Sequence, residues 1–168
     1  MLGQASSRLR SARMAMREKN YAYAIRSSQE CVELSLKASL RLMGVEYPKK
    51  HDVSRILLAY GHRFPKWFPI ERFSRESRVL AEKRELAMYG DELRSIPAST
   101  LFDREGAREA FESARGVFDA CSRLLREVGR VGRRTHRPRK DSRRSGGRRP
   151  PNSRSSDPEG GFGGRRPQ

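Results

Sequence analysis

Cysteine, histidine and long apolar runs are scarce in this sequence. The 168 residues include two cysteines and three histidines, and neither Cys31 nor Cys121 has the sequence spacing of a metal site. No run approaches the roughly 18 apolar residues that a membrane span needs, and the N-terminus lacks the apolar segment of a signal peptide. We therefore expect a cytoplasmic protein with no metal, no cofactor and no membrane partner. Whether the two thiols pair is left open.

Positive charge, by contrast, is abundant and unevenly placed. The chain has 37 Lys and Arg against 20 Asp and Glu, a formal net charge of +17. Residues 129–168 hold thirteen of the basic and three of the acidic residues, a net of +10. This Arg, Gly, Ser and Pro-rich segment cannot bury enough apolar area to offset its ordering entropy, about 1–2 kcal/mol per residue. We predict a disordered basic tail over 129–168 and one folded domain over 1–128.

Apolar residues recur at helical spacing throughout the predicted domain. The longest segment covers residues 21–43 and ends at Gly44, a residue able to adopt the left-handed backbone that closes helices. Four more segments show the same spacing, at about residues 6–19, 52–61, 71–88 and 103–128. The sequence therefore predicts an all-α fold, an up-and-down helical bundle of four to five helices with the basic tail at its C-terminal end.

Several features of this pattern suggest a family when they are taken in order. They are SSQECVELSLKASL with Glu33 and Lys37, then Gly44, then His51, Asp52 and Val53 before the third helix, and finally RELAMYGDE at the end of the fourth. In that order, over roughly residues 5–128, they resemble the HEPN domain (higher eukaryotes and prokaryotes nucleotide-binding), particularly its small prokaryotic members.

The resemblance implies a bundle that often dimerises and, in many members, a minimal nucleotidyltransferase as neighbour, as in toxin–antitoxin pairs. Active members are metal-independent ribonucleases marked by an arginine followed, after four to six residues, by a histidine. Here Arg84 occupies the arginine position, but Tyr89 stands where the histidine belongs. Imidazole exchanges a proton near neutral pH, whereas a phenol has a pKa of about 10. We therefore predict a non-catalytic interaction module.

Two other functions stay open at this point. One is a toxin-like ribonuclease that uses Arg84 and Tyr89. The other is a nucleotide-binding regulator, in which Glu33, Lys37 and Arg84 would form a nucleotide or phosphate site. A purely structural ion pair between Glu33 and Arg84 is an equally good interpretation, because a buried charge needs a partner.

Weaker candidates have simple structural explanations. Arg55 and His62 also match the ribonuclease spacing, but they precede the helix that carries the family motif. His51 is interpreted as a packing residue, and Asp91 with Glu92 as a solvated helix end rather than a metal site. The aromatic residues Phe64, Trp67 and Phe68, flanked by two prolines, are predicted to close one end of the bundle.

The tail offers a nucleic-acid site, because clustered cations neutralise phosphates and release counterions. Its GFGGRR segment resembles the RGG segments of RNA-binding proteins, with Phe162 available to stack on bases. The alternative is an extension that only aids solubility. The predicted nucleic-acid-binding residues are Arg133, Arg134, Arg137, Arg139, Arg143, Arg144, Arg148, Arg149, Phe162, Arg165 and Arg166, with RNA or DNA as the partner.

Overall fold

A computed structural model describes residues 1–47 and 49–135, with side chains up to residue 129. In this part of the chain there are six α-helices and no strand. They are α1 (Leu2–Arg17), α2 (Tyr21–Leu42), α3 (Ser54–Ala59), α4 (Ile70–Tyr89), α5 (Ala98–Leu101) and α6 (Arg104–Thr135). The predicted all-α bundle is confirmed. The helix that the sequence did not predict is α5, which has only four residues.

Helix α2 lies at the centre and packs against α1, α4 and α6. Its buried positions include Ile25, Val32, Leu36 and Leu40. Between them lie alanines and serines whose small side chains let three neighbouring helices approach closely. Asn20 begins the helix, because its Oδ1 accepts a hydrogen bond from the Tyr23 N–H at 3.2 Å, as expected of an N-cap.

Helices α2 and α6 run in the same direction. The Cys31 Sγ lies 3.9 Å from the Ala114 carbonyl oxygen, and further along both helices Cys121 lies beside Ser39. Both cysteines are free and buried, and burial raises the pKa of each thiol to about 12. They therefore serve as small apolar residues at the interface between α2 and α6.

The ends of the long helices follow the sequence signals closely. Gly44, two residues beyond α2, has a φ of +69°, the left-handed backbone expected of a helix-ending glycine. The Asp103 Oδ1 accepts a hydrogen bond from the Gly106 N–H at 2.8 Å and so caps α6. None of the described helices combines the length and apolar character needed to cross a lipid bilayer.

The aromatic segment between α3 and α4 closes one end of the bundle, as predicted. Phe64 and Phe68 are buried, and the Phe68 ring meets Phe73 edge-on with centroids 5.2 Å apart. Trp67 is partly buried, and its Nε1–H donates to the Glu127 carboxylate at 3.1 Å. The Arg123 guanidinium lies 4.0 Å from the centroid of the Trp67 ring. The Trp67 indole is thus committed to packing within the bundle.

Helix α6 continues to Thr135, past Val128, where the apolar stripe ends and the basic tail was predicted to begin. Arg133 and Arg134 lie on this extension, of which only the backbone is described. The other predicted tail residues lie outside the described residues: Arg137, Arg139, Arg143, Arg144, Arg148, Arg149, Phe162, Arg165 and Arg166. Their predicted disorder and nucleic-acid contacts therefore stay predictions.

A tight turn follows α4 and depends on Gly90. Gly90 has a φ of +79°, and the next residues close on themselves through paired backbone hydrogen bonds between Asp91 and Ile96, at 2.9 and 3.0 Å. A Cβ atom on Gly90 would collide with the Ile96 carbonyl oxygen and come within 2.9 Å of the Ala98 nitrogen. Only glycine fits this backbone without moving the turn.

Gly90→Ala should lower the free energy of unfolding by about 1–3 kcal/mol, because alanine at this φ is strained and its Cβ displaces the turn. Urea denaturation measures the change. Gly3→Ala is the matched control, since Gly3 lies in α1 and a Cβ atom added there would meet nothing within 4 Å, and alanine is the better helix former. Equal stability of the two variants would contradict the prediction.

Candidate functional site

A polar cluster centred on Glu33 lies on α2. The Glu33 carboxylate accepts hydrogen bonds from Lys37 Nζ at 2.7 Å and Gln29 Nε2 at 3.0 Å. His51 Nδ1, from the segment before α3, lies 2.9 Å from the same carboxylate. Only 13% of the Glu33 side chain and 11% of the Lys37 side chain are exposed. The structure thus brings Glu33 and Lys37 together as a nearly buried ion pair.

The electrostatics of Glu33 follow from these contacts. Burial tends to raise the pKa of this carboxyl, but the hydrogen bonds from Lys37, His51 and Gln29 outweigh it, and the pKa lies below its usual range. The ammonium of Lys37 also lies 5.5 Å from the centroid of the Tyr47 ring. Lys37 is therefore neutralised and enclosed, which makes it a poor ligand for an incoming phosphate.

Arg84 lies on the inner stripe of α4, between the buried Leu80 and Ala87. In the described part of the chain it forms no ion pair with Glu33, whose partners are Lys37 and His51. Its Nε atom is buried and has no hydrogen-bond acceptor among the described residues. The pairing of Glu33 with Arg84 that the sequence suggested is therefore absent, and Arg84 has an unsatisfied donor instead.

Tyr89 is the last residue of α4, and its side chain points in a different direction from that of Arg84. It follows Arg84 by five positions, which places it about 140° round the helix axis. Its side chain is 65% exposed, whereas Arg84 faces the bundle. The two residues of the degenerate motif therefore lie on different faces of α4 in a single chain.

The two residues of the second match to the ribonuclease spacing, Arg55 and His62, do not line one groove either. Arg55 is an exposed residue of α3 and lines a groove of about 600 Å³ between α3 and α4. His62 lies in a 3-10 turn (Gly61–Arg63), with its ring centroid 6.3 Å from that of Tyr60, and is not among the residues that line this groove.

The Asp91 carboxylate, the weakest candidate for a metal ligand, has a structural role. It accepts a hydrogen bond from the Arg94 backbone N–H at 3.2 Å and so stabilises the turn after α4.

Sequence reasoning missed two features of this region. One is the role of His51, which joins the Glu33 cluster because the chain turns back along α2 after Gly44. The other is a set of exposed apolar side chains, which we call the α4 stripe: Val79, Leu86 and Tyr89 on α4 and Leu93 in the turn after it, which are 38%, 40%, 65% and 100% exposed. The seven-residue spacing of Val79 and Leu86 was a readable signal, because it places both on one face.

By its fold the chain is a small all-α bundle module, built around a buried central helix with an inward-facing arginine on α4. A family model for the HEPN domain matches residues 1–124. The chain belongs to the HEPN domain family, as the order of its sequence features predicted. No curated protein and no solved structure matches the chain.

Glu33→Gln should lower the free energy of unfolding by about 1–3 kcal/mol at pH 7, because Lys37 would keep a buried ammonium without its carboxylate partner. The folded pKa of Glu33 is depressed, so this stability is present above the usual pKa of 4.5 and is lost as the pH falls through the folded pKa. The difference between variant and parent should therefore shrink in acid. Urea denaturation at several pH values measures it.

Glu82→Gln serves as the control for this prediction. The Glu82 side chain is 70% exposed, and its carboxylate lies 4.0 Å from Arg78. A surface pair of this kind contributes less than about 1 kcal/mol. If Glu33→Gln lowers the free energy of unfolding by the same amount at every pH, or if both variants lower it equally, the carboxylate of Glu33 is not what stabilises the cluster.

Proposed function

We propose that this chain is a non-catalytic HEPN interaction module that forms a homodimer and works with a minimal nucleotidyltransferase-type partner. The observation that carries the proposal is the identity of Tyr89 at the position of the family's histidine, in a helix α4 that contains no histidine. Cleavage of RNA by attack of a ribose 2′-hydroxyl requires a group that accepts a proton near neutral pH. Tyrosine ordinarily does so only at about pH 10.

The position of Arg84 supports binding rather than catalysis. A guanidinium is permanently charged and forked, which suits it to clamp a phosphate, a carboxylate or a carbonyl group. Its buried Nε without an acceptor carries a cost of about 1–3 kcal/mol. A ligand or partner group that reaches this inner face of α4 and accepts the hydrogen bond would remove that cost, so the unpaired donor favours binding at Arg84.

The α4 stripe supports association through the outer face of the same helix. A fully exposed leucine, four residues after an exposed tyrosine, is the kind of apolar exposure that marks a protein interface. We assign it to a second copy of this chain, because dimerisation is frequent among HEPN domains. A minimal nucleotidyltransferase encoded beside this chain would be the first partner to test by co-purification.

The basic tail completes the proposal. Its eleven candidate residues, which run from Arg133 to Arg166, would add sequence-independent affinity for RNA or DNA that falls with salt. This part rests on the composition of residues 129–168 alone.

Replacing Leu86 and Leu93 together by glutamate should shift the protein from dimer to monomer, because two charges would be buried without partners at the interface. Sedimentation equilibrium measures the mass. Leu58→Glu is the matched control: Leu58 is 53% exposed but lies on α3, so this variant should remain dimeric. A monomeric parent protein, or a dimer that survives the double substitution, would contradict the assignment of the stripe.

Purified protein should not cleave labelled RNA in the presence of EDTA, because Tyr89 stands where active family members have the proton-exchanging histidine, and α4 contains no histidine. Gel electrophoresis of the RNA detects cleavage products, and the amount formed by the parent protein is compared with the amount formed by the Arg84→Ala variant. Cleavage that disappears in Arg84→Ala would overturn the non-catalytic proposal in favour of a ribonuclease. Cleavage that survives Arg84→Ala but disappears in His62→Ala would instead assign activity to the second match, Arg55 and His62.

A further inference from the structure

A groove of about 440 Å³ lies between the C-terminal half of α1, the turn into α2 and the first turns of α6. We call it the basic groove. Five cations line it, Arg13, Arg17, Lys19, Arg104 and Arg108, against a single carboxylate, Glu112. It lies on the folded bundle and includes neither the α4 stripe nor any residue of the predicted tail.

Three other grooves of the described bundle carry balanced charge. The groove between α3 and α4 has three arginines and four carboxylates. A second, shared by α4 and α6, has two cations and two carboxylates. A third lies on α6 beside Arg72 of α4, shares Arg108 and Glu112 with the basic groove, and has three arginines and three carboxylates. The excess of positive charge in the basic groove is therefore a local property, not a reflection of the net charge of the chain.

Ion pairs with carboxylates do not neutralise the positive charge of the basic groove. Arg108 pairs with Glu105, and Glu112 pairs with Arg115 at 2.6 Å. The remaining cations of the groove, Arg13, Arg17, Lys19 and Arg104, have no carboxylate within 4.0 Å among the described residues. The Arg13 guanidinium has a neighbour of another kind, the Phe111 ring, whose centroid lies 5.6 Å away.

The spacing of the arginines forms two short rows. Arg13 and Arg17 are four residues apart on α1, and Arg104 and Arg108 are four residues apart on α6. Each row is thus one helical turn, about 6 Å long. Like charges at this spacing destabilise a helix by a few tenths of a kcal/mol, and here two such rows line one groove. Folding alone does not favour this arrangement, whereas a ligand with several negative charges does.

Lys19 adds a fifth charge from a costly backbone position. It lies between α1 and α2 with a φ of +59°, where glycine or asparagine is usual. The Asn20 N–H bonds to the Ala15 carbonyl at 2.8 Å and holds this conformation. A lysine here costs about 1 kcal/mol or more relative to an unstrained residue and places one more ammonium at the groove.

We propose that the basic groove binds the phosphodiester backbone of single-stranded nucleic acid. Forked guanidinium groups match phosphate oxygens in pairs, and a single strand presents phosphates in a regular row that two rows of arginine can follow. Its volume of about 440 Å³ is that of a small-molecule pocket, so it accommodates a segment of one strand and not a duplex. This site requires no cleavage and is independent of the dimer proposed above.

Fluorescence anisotropy with full-length protein tests the site. The probes are labelled single-stranded RNA and DNA of one sequence, titrated at several salt concentrations. Arg17→Gln combined with Arg104→Gln should weaken binding several-fold at low salt and reduce the salt slope by about 1.4, or about 0.7 for each lost phosphate contact. A larger effect on RNA would show that the groove also recognises the 2′-hydroxyl; equal effects would show recognition of the backbone alone.

Arg75→Gln combined with Arg78→Gln is the matched control. Both residues line the charge-balanced groove between α3 and α4, so this variant loses the same net charge and keeps the same tail. Its binding should stay close to that of the parent. Equal losses in the two variants would overturn the proposal, because they would show a general effect of net charge. Unchanged binding in the Arg17 and Arg104 variant would overturn it too.

Two further measurements keep the result unambiguous. Arg17→Lys combined with Arg104→Lys retains both charges, so it should keep the salt slope while losing part of the affinity; loss of the slope in this variant would contradict the proposal. Polyaspartate is the competitor that represents an acidic protein. If it displaces RNA from the parent protein at an equal charge concentration but not from the Arg17→Gln and Arg104→Gln variant, the groove is a site for acidic peptides and the nucleic-acid proposal is wrong.

Discussion

The near-complete burial of α2 is the constraint on which the rest of the structure depends. Thirteen of its 22 residues are buried, because three other helices surround it. A helix in that position cannot carry large side chains on every face, and its serines and alanines let its neighbours approach closely. It also cannot carry a lone charge. Lys37 is tolerated there because Glu33, supported by Gln29 and His51, neutralises it.

This constraint explains which parts of the fold were predictable. Helical spacing located the long helices α1, α2, α4 and α6 because each buries a stripe of apolar residues, and Gly44 and Asp103 marked ends that local backbone chemistry determines. The short α5 buries no such stripe and left no signal. Helix α6 runs beyond Val128 because helix propagation depends on local hydrogen bonds and on arginine's good helix propensity, which an argument from apolar burial does not include.

The candidate sites were less predictable, because they depend on contacts between distant segments. The sequence alone identified Tyr89 at the family's histidine position, and the structure adds that Arg84 faces the bundle while Tyr89 faces outward. Nothing local shows that His51 returns to Glu33. The basic groove arises only because the end of α1 meets the beginning of α6, some ninety residues later, so the two rows of arginine look like ordinary solvated faces when each helix is considered separately.

The enclosure of both cysteines has a practical consequence. A thiol whose pKa is raised to about 12 offers almost no thiolate to an alkylating dye while the bundle stays closed, since the thiolate is the reactive form. Cys31 and Cys121 lie on two helices that meet in the core. The rate of dye incorporation would therefore measure how often α2 and α6 separate transiently. The two cysteines thus report the opening of the core without an engineered label.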